Sequence, residues 1–575
     1  MQQIIIDEIK KLLTKAGVTG EVEFSTPPKS EMGDAAFPCF TLAKELKKNP
    51  VEVANDLALK LGSINSKVIE SVKAFGPYVN FFVRSTAVVE QVVSEVLKKQ
   101  EHYGESAVGK GRSVMVEYPS NNTHKEFHIG HFRNVCIGNA LVQLYQRNGY
   151  MVYPVNYLND FGAHVAKCLW GLQKFHMKGK ALPAGRQAPE NKQAWLGEIY
   201  AEASRYLKDH PEAGSEVAET QKKLEARAKT IWPLFLKTRR WSLERFDELF
   251  KELGVKHIAV FYEKDLRERG QKIVDELLQK KVATVGEGGA IIVDLTSYGL
   301  DIALVRKSNG IGLYLTSDLP LAEEKFKKFA VDESIVITGQ EQSFYFRQLY
   351  KILELMGFQK KLTHLSYGLV NLPAGKMSSR TGNVILYEAL RDEVLGRMTA
   401  ATAERHGNWP KSRVAKVARA LTQAALKFDF QKHESAKMIA FDVKEATSFE
   451  GFSGPYVLYV VARINSLLGK AVRKPGPRAK INYGVLVQPE EKQLALILGE
   501  FSQMMRKALG DYNPSVVARY AFDVAQAFND FYNKQSILNA GDGKLVLARL
   551  SLCQAVRQVL QNTLHLLTIE TVEEM

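Results

Sequence analysis

Val114-Met115-Val116-Glu117-Tyr118-Pro119-Ser120-Asn121-Asn122-Thr123-His124-Lys125-Glu126-Phe127-His128-Ile129-Gly130-His131 joins two periodicities. Val114 to Val116 is a short apolar run of the kind that forms a buried parallel strand, and Ile137, Ala140, Leu141, Leu144 and Tyr145 repeat at helical spacing. His128-Ile129-Gly130-His131 therefore falls at a strand-to-helix junction. At such a junction the first backbone N–H groups of the helix are unpaired and its dipole favours anions. Gly130 would let a phosphate or an adenine approach the main chain, and the two imidazoles add donors for charge developing on a phosphoryl group. Taken by themselves, His128 and His131 read better as polar residues at a helix start, so the stretch needs a second element.

That element is Gly375-Lys376-Met377-Ser378-Ser379-Arg380-Thr381-Gly382-Asn383, a glycine-bounded basic loop after the apolar Leu369, Val370 and Leu372. Together the two stretches resemble the paired signatures of class I aminoacyl-tRNA synthetases, at the separation expected if each comes from one half of a split nucleotide-binding domain. The resemblance implies an α/β multidomain protein with a Rossmann-like, doubly wound parallel sheet. It also implies that ATP is held by His128, Gly130, His131, Lys376, Met377, Ser378, Ser379 and Arg380.

Composition permits this reading. A chain of 575 residues is too long for one core, and 45% hydrophobic with 25% charged residues is ordinary for a globular protein. No apolar run reaches membrane-spanning length, and the acid-containing start reads as an amphipathic helix rather than a targeting peptide, so no membrane partner and a cytoplasmic location are expected. Cys39, Cys136, Cys168 and Cys553 are scattered and read as buried thiols, without a zinc set. A net charge of +15 suits a polyanionic partner without specifying one.

Read in order, residues 1–107 form a small α/β domain ending in the aromatic strand Tyr78 to Val83. Residues 108–385 carry the nucleotide-binding halves, with a helical insertion at about 171–255; residues 386–445 are a helical connector, and 446–575 are a helical bundle. Asp160 and His164 sit where a strand's carboxyl end would open on a crevice. Alternating strands and helices through Ile291 to Leu295 and Ile335 to Gly339 fit the second half of one parallel sheet.

The N-terminal domain, Asn122 to His131, Glu287 to Leu295, Leu313 to Asp318, Ser448 to Tyr456 and Phe528 to Asn533 together resemble the arginyl-tRNA synthetases over essentially the whole chain. The resemblance implies an arginine–tRNA ligase. L-Arginine is activated by ATP with Mg²⁺ and then esterified to the 3′ end of tRNA(Arg), by a protein expected to be a monomer. Glu287, Tyr314 and Asp318 match the arginine-recognising positions, and Asn122 and Gln342 match those at the amino acid's backbone end. A planar, permanently charged guanidinium needs such carboxylates and a neutral acceptor. Tyr314 and Asp318, four apart, share a face if they open a helix. Tyr456, Tyr459 and Arg463 would face unpaired anticodon bases, Asn80 and Phe82 the tRNA elbow, and Met575 the anticodon surface. The second signature here ends Ser379-Arg380 where the class usually has Lys-Ser, so the triphosphate lysine is missing. Within the family a lysine upstream of the first signature accompanies that loss, and Lys125 stands there as the expected catalytic substitute, with Lys376 assisting. The competing readings are another class I synthetase, for cysteine or glutamate, and a non-catalytic tRNA-binding relative.

Overall fold

The computed structural model describes residues 3–18, 23–25, 27–177, 189–371, 385–472, 475–476 and 480–575. They divide into two compact units: residues 107–447 with 512–515, and residues 1–106 with 448–511 and 516–575.

The first unit is built on five parallel strands: β1 (Ser113–Glu117), β2 (Met151–Leu158), β3 (Ala259–Tyr262), β4 (Glu333–Gly339) and β5 (Lys361–Tyr367). Their order across the sheet is β5-β4-β1-β2-β3. Helices α1 (Ile129–Arg147), α2 (Trp232–Leu253), α3 (Glu263–Gln279), α4 (Tyr314–Lys328) and α5 (Ser343–Leu355) accompany it. Every residue of β4 is buried, as expected of a strand covered on both faces, which is why Ile335-Val336-Ile337 shows no polar alternation. The chain winds outward from β1 to β3 and then restarts on the other side at β4. That reversal leaves a crevice beyond the carboxyl ends of β1 and β4, where ligands of such sheets bind.

One sequence expectation is corrected here. Ile291–Val293 does not join the parallel sheet; it pairs antiparallel with Thr284–Val285 and Ala303–Arg306 in a small separate sheet. Gly288 and Gly289, at φ 63° and 86°, let the chain double back between the first two of these strands.

In the second unit, Ala35–Pro38, Tyr78–Val83 and Ile69–Phe75 form an antiparallel sheet with Tyr78–Val83 at its centre. The C-terminal helices are Gly454–Lys470, Pro489–Gly499, Phe501–Gly510, Ser515–Lys534 and Gly543–Leu566. The apolar pattern from Glu491 to Leu509 predicts one helix; the structure breaks it at Glu500, which caps both halves. Among the described residues no helix is long and apolar enough to cross a membrane.

A glycine sets the height of α4 beside the crevice. A Cβ on Gly270 of α3 would lie 1.8 Å from the Thr316 carbonyl oxygen of α4, so only glycine permits this approach. Thr316 is itself tied to the strand below through its hydroxyl and the Val305 carbonyl. Gly270→Ala is expected to destabilise the unit by about 1–3 kcal/mol through overpacking. It should also raise the KM for a substrate bound in the crevice beside α4; denaturant unfolding and steady-state kinetics check both.

Candidate active site

The start of α1 has four N–H groups without helical partners, and the sequence supplies imidazoles to meet them. His128 is the N-cap: its Nδ1 accepts from the Gly130 N–H at 3.1 Å and the His131 N–H at 3.4 Å. His131 Nδ1 accepts in return from the His128 N–H at 3.3 Å, and the two rings stack with centroids 3.7 Å apart. Burial and the Lys125 charge hold His128 down at about 4, and burial with His128 and Lys125 holds His131 well below its ordinary value, so both rings are neutral at pH 7. With Nδ1 occupied as an acceptor, the ring proton sits on Nε2 of each. The cap thus fixes two neutral donors, and both residues line a cavity of about 450 Å³ at the crevice.

The loop before them is pinned from behind. His124 is buried at φ 61°, with its ring nitrogens 3.0 Å from the Thr123 hydroxyl and 2.8 Å from that of Thr238 on α2. Burial pushes His124 to about 3, so it anchors the loop as a neutral group.

Across the cavity, Asp318 projects from the start of the second turn of α4. The Tyr345 hydroxyl donates to its Oδ2 at 2.5 Å, while its buried Oδ1 has no hydrogen-bond partner. Burial, with Glu117 adding repulsion, raises Asp318 to about 6 against the opposing help of Tyr345, Lys325 and the nearby Tyr157 hydroxyl. Glu117, at the end of β1, is paired with Lys325 and is already neutralised. Glu263 follows β3 directly and is 2% exposed; its Oε2 has no hydrogen-bond partner, and Arg267 lies 3.7 Å from its Oε1. Burial raises Glu263 to about 8, against the opposing pull of Arg267. The Asp318 charge adds to that rise, and Glu263 in turn raises Tyr157, Tyr314 and Tyr345, three residues that line the cavity.

The crevice gathers Asn122, His128, His131, Tyr314, Asp318 and Gln342 around one cavity. Tyr314 and Asp318 do share a face, because Tyr314 is the first residue of α4. Gly130 lies under the His128 ring, where an added Cβ would come within 2.9 Å of Cε1. Lys125 is outside the lining; its ammonium lies 4.8 Å from the centre of the Tyr200 ring. Lys376, Met377, Ser378, Ser379 and Arg380 lie outside the described residues.

Glu287 is not brought to the cavity: it is exposed on the turn Glu287–Gly289 of the small antiparallel sheet. Glu263, which motif reading missed, is the second acid near Asp318; its signal was its place immediately after the carboxyl end of a parallel strand. Asp160 and His164 are internal braces. Asp160 takes Arg239 Nε at 2.5 Å and the Lys264 N–H at 3.0 Å, and His164 Nε2 lies 3.1 Å from the Asn159 carbonyl.

In the second unit, Tyr456, Tyr459 and Arg463 do meet on one face of Gly454–Lys470. Arg463 donates to Asn529 at 2.7 Å and to the Tyr459 hydroxyl at 2.8 Å, and Asn529 donates to the Tyr456 hydroxyl at 2.8 Å. The tail before Met575 is held to that helix where Asn465 donates to the Glu573 carbonyl at 3.1 Å. Asn80 is 2% exposed, with its amide on the Met32 carbonyl, so it is not presented at the surface; Phe82 is half-buried beneath the Lys73 ammonium.

The doubly wound sheet with the histidine-capped helix at its crevice is the catalytic core of a class I aminoacyl-tRNA synthetase. The family model described as "tRNA synthetases class I (R), catalytic domain" matches residues 92–442. Those for the "Arginyl tRNA synthetase N terminal domain" and the "DALR anticodon binding domain" match residues 1–83 and 457–575. The chain belongs to the arginyl-tRNA synthetase family. It is 34% identical to the arginine–tRNA ligase of Clostridium perfringens over the full length of both chains. It is 36% identical to that of Clostridium botulinum strain 657 over 96% of this chain and 95% of the other. The arginyl-tRNA synthetase of Thermus thermophilus shares the fold with a TM-score of 0.80, at 24% identity and full coverage of both chains. That of Plasmodium falciparum does so with 0.77, at 18% identity and the same coverage.

The raised carboxyl of Asp318 predicts a pH dependence. A guanidinium bound against Asp318 would favour its ionised form, so affinity for arginine would have its full Asp318 contribution above about pH 6 and lose it as pH falls through that value, by up to about tenfold per pH unit. Arginine titrations between pH 5 and 8 should show this component in the native chain and lack it in Asp318→Asn.

Proposed function

We propose a division of labour among these residues for the ligation of arginine to tRNA(Arg) that the family carries out. The buried, half-satisfied carboxylate of Asp318, in the cavity that also holds the two imidazole donors, is the observation that carries it. A guanidinium there would donate to Asp318 Oδ1, with Glu263 as the second acid behind the tyrosines and the Tyr314 hydroxyl completing the fork. Glu287 has no part in this arrangement. Asn122 and Gln342 would hold the amino and carboxyl groups at the other end of the substrate.

In the first step an arginine carboxylate oxygen attacks the α-phosphorus of ATP. A new P–O bond forms as the bond to pyrophosphate breaks, giving arginyl-adenylate. In the second, a ribose hydroxyl at the tRNA 3′ end attacks the arginyl carbonyl, the ester forms and AMP leaves. No protein nucleophile is needed; alignment and charge neutralisation carry the rate. The Nε2–H groups of His128 and His131, neutral and fixed by the cap, donate to phosphoryl oxygens. Lys125 supplies the charge of the lysine that the second signature has lost, swinging from the Tyr200 ring, with Lys376 and Arg380 assisting.

Among the described residues no group of three His, Cys, Asp or Glu side chains could hold a metal ion. Mg²⁺ would enter as the companion of the ATP phosphates and offset their charge, and no step is assigned to it. Tyr456, Tyr459, Arg463 and Tyr532 form an aromatic and cationic face suited to stacking anticodon bases, with Arg463 over both the Tyr459 and Tyr532 rings. Phe82 with Lys73 is the counterpart for the tRNA elbow. The chain would work as a monomer in the cytoplasm.

ATP–pyrophosphate exchange with each amino acid, with and without tRNA, tests the assignment. Arginine-dependent exchange that requires tRNA is expected; exchange driven by another amino acid contradicts it. Lys125→Ala should slow exchange by about 10²-fold, the scale of losing one donor to developing charge, while tRNA affinity in a filter-binding assay is unchanged. Near-normal exchange by that variant would remove Lys125 from the reaction.

A further inference from the structure

Arg133 lies on α1, two residues beyond His131, and is 0% exposed. Its hydrogen-bond partners include no carboxylate. The guanidinium donates instead to five backbone carbonyls: Gly368 at 2.5 Å, Leu369 at 3.4 Å, Glu434 at 3.3 Å, Ser435 at 3.1 Å and Lys437 at 2.8 Å. A buried charge without a counter-ion is costly, and an apolar side chain would fill the same space with less penalty. A guanidinium, however, spreads four N–H donors over its two terminal nitrogens in one fixed plane, and here Nη1 takes the carbonyls of one chain segment and Nη2 those of the other.

Those segments have a common destination. Gly368 and Leu369 precede Val370–Asn371, which pairs in parallel with Ile439–Ala440, just after the carbonyls of Glu434, Ser435 and Lys437. Val370–Asn371 leads directly into residues 372–384, the stretch that contains the second signature. On the far side of that stretch the chain returns to the first signature. The Ile129 N–H donates to the Ile385 carbonyl at 3.0 Å, His128 bridges to Leu386, and the Tyr387 N–H donates to the Phe127 carbonyl at 3.1 Å. Both flanks of the second signature are thus fastened to the helix that begins with the first, one by backbone pairing and the other by Arg133.

We propose that Arg133 is a positioning residue for ATP activation, its five-carbonyl clamp setting the distance between the first signature on its own helix and the chain leading into the second. The inference rests on the reading that both signatures act on ATP. It separates Arg133 from residues that touch substrate: adenylate formation, which uses both signatures, depends on the clamp, while transfer from a preformed adenylate does not.

Two variants open the clamp from opposite sides. Arg133→Met removes the donors. Gly368→Ala leaves them but inserts a Cβ 2.5 Å from the Lys437 carbonyl oxygen, forcing two of the five acceptors apart. For each, arginine-dependent ATP–pyrophosphate exchange in the presence of tRNA is measured beside transfer of arginine to tRNA from synthetic arginyl-adenylate. Exchange should fall about 10²-fold, the scale of an ångström misplacement, with transfer within about threefold of the native chain. A merely structural role would lower both rates together by reducing the amount of active protein. Equal losses, or native exchange in a folded variant, overturn the proposal, and Gly368→Ala decides it if Arg133→Met does not fold. A native chain with no arginine-dependent exchange would instead overturn the underlying reading.

Discussion

Unpaired N–H groups at the start of α1 must find acceptors, and this chain meets them with the Nδ1 atoms of its own His128 and His131. That exchange fixes the tautomer of both rings, stacks them, and leaves each with one proton facing the cavity. Because burial keeps the pair neutral, the site does not meet an incoming cationic amino acid with two more positive charges. The same backbone requirement that stabilises the helix therefore also orients the donors, and the sheet's reversal between β1 and β4 places them over a crevice.

The rest of the cavity concerns buried charge. Glu117 is cancelled by Lys325 and Asp160 by Arg239, so these acids brace the floor and wall. Asp318 and Glu263 differ in that each keeps a buried oxygen reached by neither a hydrogen bond nor an ion pair, and burial raises their carboxyls to about 6 and about 8. Groups in this condition are costly in the empty protein and are relieved by a cation of matching shape. A guanidinium, with donors in one plane and a charge that cannot be shed, has that shape.

Much of this was legible in the sequence because it is local. The change from strand to helical periodicity across residues 114–145 placed the signature correctly, and the four-residue spacing of Tyr314 and Asp318 gave their common face. What the sequence concealed depends on chain path. Glu287 sits near the expected motif, but the reversal at Gly288 and Gly289 carries its strand into a separate sheet and leaves the side chain in solvent. Glu263 has no motif around it, only a position at the crevice end of β3. Asn80 alternates with aromatics in a strand, and its inward direction was fixed by the Met32 carbonyl it binds. Arg133 looked like one more helical arginine, since its partners are backbone atoms more than 230 residues away in the chain.

A crystal structure of the chain with L-arginine and a non-hydrolysable ATP analogue bears most directly on the account. It should place the guanidinium against Asp318 Oδ1 with Glu263 behind it, and phosphoryl oxygens within hydrogen-bonding distance of Nε2 of His128 and His131. Arginine bound through Glu287 with Asp318 uncontacted, or phosphates remote from both imidazoles, would contradict it.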